Sequence, residues 1–248
     1  PERWAAQLEA ELLPGGTLRR APGGPIEELP GFAEGAWWVQ DLAAGLPAIV
    51  LGPVAGRPVL DLGAAPGGKT MQLAAAGAVV TALDAAEPRA AMLRANLART
   101  GLSAEVVVAD ARTWRPAAPF PLVLLDAPCS ATGTIRRHPD VMLTKRPEDV
   151  ARLTVLQDEL LDAALALTAP GGRLVYAVCS LQPEEGPARV AAFLARHAGV
   201  ARDPIVPGDL PDLGVPIDAA GEVRTLPCHL AGRGGMDGFF IARFRKAT

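Results

Sequence analysis

Four aspartates stand at positions where chemistry can be expected: Asp61, Asp84, Asp110 and Asp126. Each closes a short run of apolar residues, which predicts a buried strand. The carboxyl ends of parallel strands meet along one edge of a sheet, where α/β proteins bind their ligands. A row of carboxylates at that edge would repel a triphosphate and favour a ligand with positive charge and hydroxyl groups. We therefore expect a cationic ligand that contains a ribose.

A glycine-rich loop follows the first of these strands, in the stretch LDLGAAPGGKT at residues 60–70. It fits the P-loop pattern of nucleotide hydrolases at Gly63, Gly68, Lys69 and Thr70. The strand that ends at Asp126 then resembles a magnesium-holding strand of such proteins. The carboxylate row favours S-adenosylmethionine instead, because that molecule combines a sulfonium, an amino group and a ribose. Asp84 stands where an acidic side chain takes ribose hydroxyls in dinucleotide-type folds.

The cysteines further limit the chemistry that the chain can perform. There are three of them: Cys129, Cys179 and Cys228. They are odd in number, widely spaced and lack any C-x-x-C pair, so they suit a reduced compartment and give no sign of a metal site. Either Cys129 or Cys179 could be a nucleophile on spacing alone. We expect Cys228 to be a small buried apolar residue, the commonest fate of a free thiol.

Alternating patterns predict the elements that position these residues. Strands are expected at 58–62, 79–83, 105–109, 121–125 and 173–178, and helices at 1–13, 38–51, 68–76, 87–100, 147–169 and 184–198. This alternation predicts an α/β, Rossmann-like fold with a mostly parallel sheet and helices on both faces. The stretch DGFFIARFRK at 237–246 predicts an antiparallel strand at an exposed edge.

Composition sets the outer limits. Half of the 248 residues are hydrophobic and 21% are charged, which suits one globular unit with a large core. No apolar run is long enough to span a bilayer and no leader pattern is present, so we expect a cytoplasmic protein without a membrane partner. The net charge of −3 argues against holding nucleic acid by bulk electrostatics.

Two cysteine motifs carry a family resemblance: LLDAPCSATGTIRRHPD at 124–140 and GGRLVYAVCSLQPEEG at 171–186. With the glycine loop and the stretches LPGF, VQD and DGFF, they resemble the RNA cytosine-C5 methyltransferases, most closely the bacterial Fmu/Sun type that acts on small-subunit rRNA. The resemblance runs from about Leu29 to the C-terminus. It implies the fold of an S-adenosylmethionine-dependent methyltransferase over 37–248, preceded by a partial N-terminal subdomain or linker at 1–36.

The chemistry of that family asks for the residues found here. Cytosine C5 is a poor nucleophile until a thiolate adds at C6 and a proton or hydrogen bond is supplied at N3. The resemblance implies that Cys179 is the nucleophile, Asp126 meets N3 and Cys129 assists release. Lys69 is a source of positive charge that would activate a thiol.

The resemblance also implies a cofactor site. Its residues are Gly63, Ala64, Ala65, Pro66, Gly67, Gly68, Lys69, Asp84, Asp110 and Asp126. Asp84 is assigned to the ribose, Asp110 to the neighbourhood of the adenine and Asp126 to the methyl end. The chain departs from the family pattern at Gly63, Val178 and Gly186, where Cys, Thr and Asn are usual, which affects fine specificity rather than the reacting groups.

RNA is the expected partner, with no metal and a monomeric chain. Local positive charge flanks the Cys129 loop at Arg136, Arg137, Lys145 and Arg146, which we expect to contact phosphates. The resemblance implies an upstream helical RNA-binding domain and a first strand of the small subdomain, and we expect neither among these residues. A tRNA methyltransferase, a P-loop hydrolase and a non-catalytic rRNA-binding factor remain as alternatives.

Overall fold

The computed structural model describes residues 1–248. Its main sheet contains β3 (Pro58–Leu62), β4 (Val79–Asp84), β5 (Glu105–Val108), β6 (Phe120–Asp126), β7 (Thr168–Val178), β8 (Val200–Arg202), β9 (Val223–Arg224) and β10 (Phe240–Lys246). The helices are α1 (Glu2–Gln7), α2 (Leu42–Val50), α3 (Gly68–Ala75), α4 (Glu87–Thr100), α5 (Val141–Thr144), α6 (Pro147–Leu167) and α7 (Pro187–Arg196). No helix combines the length and the hydropathy that crossing a membrane requires.

The strand order is β5-β4-β3-β6-β7-β10-β8, and β9 also pairs with β10. The first five strands are mutually parallel, and β10 runs antiparallel to β7 from Phe240 opposite Val178 to Arg245 opposite Arg173. The predicted α/β fold with an antiparallel addition at this side of the sheet is confirmed. The stretch that contains β10 is not exposed, however, because β8 and β9 cover its outer side and Phe240 to Phe244 are buried.

Side chains of β3, β4, β6 and β7 alternate between two cores because these strands are covered on both faces. Val59 of β3 joins the core under α2, α3 and α4, whereas Leu60 joins the core under α6 and α7. Parallel strands covered on both faces are expected to be apolar throughout. This arrangement brings the carboxyl ends of five strands, and the loops that follow them, to one edge.

Local signals explain where several helices begin and end. Asp41 caps α2, its carboxylate accepting from the Ala43 N–H at 2.8 Å. Gly101 closes α4 in a left-handed conformation, φ 65°, and Pro147 opens α6. Gly67, with φ 112°, turns the chain from the glycine loop into α3.

The N-terminal segment differs from the prediction. The helix expected over 1–13 ends at Gln7, and Glu9 takes a left-handed conformation with φ 49°. The chain then forms a small hairpin of β1 (Glu11–Leu12) and β2 (Leu18–Arg19), turned by Gly15 and Gly16. The helical pattern was misleading because a buried Leu13 suits a strand equally well. The boundary predicted at residues 36 and 37 stays a prediction.

Candidate active site

The four aspartates lie at the same edge of the sheet, as the strand pattern predicts. Asp84 and Asp126 are the last residues of β4 and β6, Asp61 is the fourth residue of β3, and Asp110 follows β5 by two residues. Their surroundings differ greatly. Asp61 is fully buried, whereas the Asp110 side chain is 37% exposed. The predicted row of carboxylates is therefore present at this edge. Its members differ too much in exposure to have the same role.

The glycine loop lies against the end of β6. Gly63 has φ 75°, and a Cβ built there would stand 2.3 Å from the Asp126 carbonyl oxygen, so the family's more usual cysteine could not fit this backbone. Gly67 leaves similarly little room, since a Cβ would approach a Leu93 methyl at 2.5 Å. The loop therefore lies against the backbone of β6 at Gly63 and against the Leu93 side chain at Gly67.

Lys69 and Thr70 point into the protein. The Lys69 ammonium is buried and pairs with the Asp126 carboxylate at 2.7 Å, and the Thr70 hydroxyl donates to Asp61 at 2.6 Å. In a P-loop these two positions serve phosphate and magnesium. Here both are committed to carboxylates, which disfavours the nucleotide-hydrolase alternative.

Burial sets the protonation of this group of side chains. Burial raises the pKa of Asp61 to about 7, against the opposing effects of the Thr70 hydrogen bond and the Lys69 charge. One Asp61 oxygen, Oδ1, is buried without a hydrogen-bond partner. Burial alone would lower the pKa of Lys69, but attraction by Asp126, Asp61 and Cys179 outweighs it and the pKa is raised. Lys69 is therefore charged in the ligand-free protein.

Asp84 holds the glycine loop in place. It accepts from the Ala65 N–H at 3.2 Å, from the Ala86 N–H at 3.1 Å and from the Arg89 guanidinium at 3.1 Å. A carboxylate offers about four acceptor sites. One site thus remains for a ligand hydroxyl, on the oxygen that faces Ala86.

Asp110 is paired rather than free. The Arg112 guanidinium donates to both Asp110 oxygens and also to Glu159. These hydrogen bonds from Arg112 lower the pKa of Asp110. A ligand group near Asp110 therefore meets an ion pair.

The two cysteines predicted to react are brought together. Cys179 directly follows β7, Cys129 follows β6 by three residues, and these two strands are parallel neighbours. The two Sγ atoms are 3.4 Å apart, and both side chains are partly buried. The hydrogen bond to Cys179, together with burial, raises the pKa of the Cys129 thiol well above its ordinary value. Cys129 thus keeps its proton and can donate it to the Cys179 sulfur.

Cys228 lies elsewhere and is exposed, so the expectation that it is buried is wrong. It occupies the loop between β9 and the short helix Ala231–Arg233. Its surroundings follow from loop packing, which a single residue type does not predict.

The four predicted RNA-contacting residues fall into two groups. Arg136 pairs with the buried Asp41 at 2.8 Å, and Arg137 pairs with the buried Asp237 at 2.6 Å. These two arginines join the Cys129 loop to the start of α2 and to the segment before β10. Lys145 and Arg146 are exposed and form no ion pair. The pattern of basic residues did not distinguish structural ion pairs from free cations.

Sequence reasoning missed a buried polar network beside the cysteines. Glu185 is fully buried and receives hydrogen bonds from Ser130, Ser180 and Gln157. Ser130 and Ser180 are the residues that directly follow the two cysteines. An acidic residue shortly after a strand-end cysteine was the available signal, but it did not reveal which donors would surround it.

Gly186 departs from the family pattern for a visible reason. A Cβ there would meet both the Arg224 guanidinium and the Phe240 ring at 2.9 Å. Arg224 stacks over Phe240 and donates to the Ser180 carbonyl at 2.8 Å. Arg224 thus fills the space that a side chain at position 186 would need.

The sheet order, the glycine loop and the carboxylate edge define an S-adenosylmethionine-dependent methyltransferase fold. The profile of the 16S rRNA methyltransferase RsmB/F family matches residues 48–245. The chain belongs to that family.

Individual relatives agree with this assignment. Ribosomal RNA small subunit methyltransferase B of Pseudomonas syringae pv. tomato is 45% identical over 238 residues, which cover 89% of this chain and 50% of that protein. The solved structure of PH0851 is 32% identical with a TM-score of 0.85, over 99% of this chain and 57% of that one. NSun6 from Pyrococcus horikoshii, solved with SFG, is 26% identical with a TM-score of 0.78, over 94% and 60% of the two chains. The chain spans about half the length of the curated relatives it matches.

Proposed function

We propose that the chain transfers a methyl group from S-adenosylmethionine to C5 of a cytosine in 16S rRNA, through a covalent bond between Cys179 and C6. The single observation that carries this proposal is the pair of thiols 3.4 Å apart at the ends of neighbouring strands. The ion pair of Lys69 and Asp126 lies at the same edge of the sheet. Membership of the 16S rRNA methyltransferase RsmB/F family supports rRNA over tRNA as the substrate.

The residues present fit the cofactor. The remaining acceptor site of Asp84 suits a ribose hydroxyl, and the loop residues Gly63 and Gly67 carry no side chain that would cover the strand ends. When bound, S-adenosylmethionine supplies a methyl group on a positively charged sulfur. The residues assigned to hold it are the loop from Gly63 to Lys69, with Asp84, Asp110 and Asp126.

Cys179 begins the reaction by forming a bond from its sulfur to cytosine C6. The ring then carries extra electron density, which makes N3 more basic and C5 nucleophilic. Asp126 is the partly exposed member of its pair with Lys69, so we assign it the contact to N3. As the adduct forms, Asp126 passes to N3 a proton that it draws from the Lys69 ammonium, which is left as a neutral amine.

Cys129 acts after the methyl group has reached C5. The C5 proton must then be removed so that the electron pair of the C5–H bond can expel Cys179 from C6. While Cys179 is a thiolate, its hydrogen bond and charge hold the proton on Cys129. Once Cys179 is bonded to carbon, that hydrogen bond and charge are gone. Cys129, whose side chain is only partly buried, can then release its proton to solvent, and the resulting thiolate takes the proton from C5. The order of the two thiols' roles follows from this change of charge.

The target cytosine has to leave any helix before it can react. A base stacked and paired in duplex RNA does not expose C6 to a thiolate, so we infer a single-stranded or flipped-out target. Lys145 and Arg146, which form no ion pair, are the cations available for the flanking phosphates.

The test separates the two cysteines. Cys179→Ala should abolish methylation and form no protein–RNA conjugate. Cys129→Ala should still allow addition and methyl transfer and then stall, so that a conjugate survives denaturing electrophoresis. If Cys179→Ala is the variant that traps RNA, the two assignments are reversed.

Further measurements separate the alternatives. Bisulfite sequencing of 16S rRNA and tRNA from a deletion strain should reveal a missing 5-methylcytosine in rRNA, and a loss confined to tRNA would favour a tRNA substrate. Calorimetric titration should show binding of S-adenosylmethionine and none of ATP. Methylation that persists in the double cysteine variant would contradict the covalent mechanism.

A further inference from the structure

Glu185 is a buried carboxylate whose partners are all uncharged. Its Oε1 accepts from the Ser130 N–H at 2.8 Å and from the Gln157 amide at 3.0 Å, and its Oε2 accepts from the hydroxyls of Ser130 and Ser180. The Tyr176 hydroxyl donates to the Glu185 carbonyl at 2.6 Å and so fixes the backbone at this residue. Burying a carboxylate without a cation is costly unless it is fully hydrogen-bonded. Such an arrangement calls for a reason beyond packing.

Hydrogen bonds of this network hold the residues on both sides of Cys129 in the sequence. Ser130, which follows it, gives both its N–H and its hydroxyl to Glu185. Pro128, which precedes it, has its carbonyl bonded at 2.9 Å by the same Gln157 amide that reaches Glu185. Glu185 thus bonds one neighbour of Cys129 directly and reaches the other through Gln157.

Cys179 depends on Glu185 much less. It directly follows Val178, which is paired in the sheet with Phe240. The Cys179 carbonyl also accepts from the Gly133 N–H at 3.0 Å. Cys129 lacks this support, since the last sheet-side hydrogen bond before it is made by the Ala127 N–H. Loss of the Glu185 contacts should therefore move Cys129 relative to a nearly fixed Cys179.

We propose that Glu185 is a positioning residue that holds Cys129 against Cys179 for the release step. Glu185 touches neither thiol and acts through the backbone on both sides of Cys129. This inference rests on the proposed function, because release matters only if the covalent adduct forms. What counts for Glu185 is the reach of its side chain across both loops, since its four donors are neutral.

Two substitutions separate reach from charge. Glu185→Asp keeps the charge but withdraws the carboxylate by one methylene, so it cannot bridge the two loops. Glu185→Gln keeps the length, and its NH₂ can face the two serine hydroxyls, which can turn to accept. We expect Glu185→Asp to slow turnover about 100-fold and to accumulate a protein–RNA conjugate, as Cys129→Ala does. Glu185→Gln should stay within about tenfold of the unchanged chain.

The experiment uses purified protein, deproteinised 16S rRNA and radiolabelled S-adenosylmethionine. Turnover is followed as label in RNA, and the conjugate as a slower protein band after nuclease digestion. The matched control is Glu184→Asp, because Glu184 is the exposed neighbour of Glu185 and its side chain makes no hydrogen bond or ion pair. It should behave as the unchanged chain. Thermal melting checks that each variant is folded.

The outcomes are distinguishable. Glu185→Asp turning over without a conjugate, or Glu185→Gln proving the more damaging change, would overturn the positioning role while Cys129→Ala still traps RNA. If Glu185→Asp does not fold, Ser130→Ala, which removes one of the four donors, should give a smaller accumulation of conjugate, and its absence would overturn the inference. If Cys129→Ala itself traps nothing and Cys179→Ala still methylates, the proposed function fails, whatever Glu185 does.

Discussion

At the scale of single residues, the environment gives identical side chains different roles. Asp61 is buried with an unpartnered oxygen, and Asp110 is half-exposed beside Arg112. Cys129 is held as a thiol by Cys179 and by burial, and Cys228 is exposed. Residue type therefore indicates which residues are candidates for a site. Burial and neighbouring groups determine the role of each one.

Asp61 gives a prediction on pH. Burial raises its folded pKa to about 7, above the ordinary value near 3.8 of the unfolded chain, so the folded state binds the proton more tightly. Its contribution to stability is present below about pH 4 and is lost as pH rises to about 7, by up to roughly 4 kcal/mol. Asp61→Asn should flatten this slope, as measured by urea unfolding of the ligand-free protein between pH 5 and 8. Asp140→Asn, at an exposed aspartate without an ion pair, is the control, and an unchanged slope in Asp61→Asn would contradict the assignment.

At the scale of elements, one glycine joins three segments that are distant in sequence. Gly133 is central in the short 3-10 helix Thr132–Thr134. Its N–H donates to the Cys179 carbonyl at 3.0 Å, and its carbonyl accepts from the Gly238 N–H at 2.8 Å. The loops after β6 and β7 and the segment before β10 thus meet at a point without room for a side chain.

A methyl group at this point should break the junction. A Cβ on Gly133 would stand 1.9 Å from the Gly238 carbonyl oxygen, so Gly133→Ala should destabilise the protein by about 1–3 kcal/mol, the usual cost of overpacking. Urea unfolding measures this. Gly232→Ala is the matched control, because Gly232 is central in a similar short helix and a Cβ there meets nothing within 4 Å. Equal effects of the two changes would show that helix propensity, and not the junction, is responsible.

At the scale of the whole molecule, the net charge does not show which cations are free to contact RNA phosphates. The chain carries −3 overall, yet Lys145 and Arg146 are exposed without ion pairs beside the Cys129 loop. Arg136 and Arg137 are engaged with Asp41 and Asp237. RNA affinity should therefore be weak and depend on few cations.

Salt dependence tests this division. Lys145→Ala and Arg146→Ala should each reduce the slope of log affinity against log salt by about 0.7, the value for one single-strand phosphate contact, and leave thermal stability unchanged. Arg137→Ala should instead lower the melting temperature, because it leaves the buried Asp237 carboxylate poorly paired. Filter binding of single-stranded rRNA fragments over a series of salt concentrations measures the slopes. Tight binding that ignores salt would mean that stacking or shape dominates.

The sequence by itself determined the α/β class, the parallel sheet built from strand–helix units and the edge at which the candidate residues meet. It could do so because apolar periodicity, glycines and prolines act locally, and because parallel strands put their carboxyl ends on one side. It also named Cys129, Cys179, Lys69 and Asp126, whose convergence at that edge follows from the same rule. The helix predicted over 1–13 was wrong for a local reason too, because residues with helical spacing form part of a hairpin there.

Tertiary structure alone decided which polar groups are partners. The pairing of Arg136 with Asp41 joins residues 95 apart in sequence, and that of Glu185 with Ser130 joins residues 55 apart. Single-sequence patterns carry no signal for such contacts, because the partners are set by how loops cross after the sheet has formed. The same crossing decides which arginines remain free for a ligand and which carboxylates are buried. Ion pairing and burial of these side chains depend on packing between segments that are distant in sequence, so only the tertiary structure shows them.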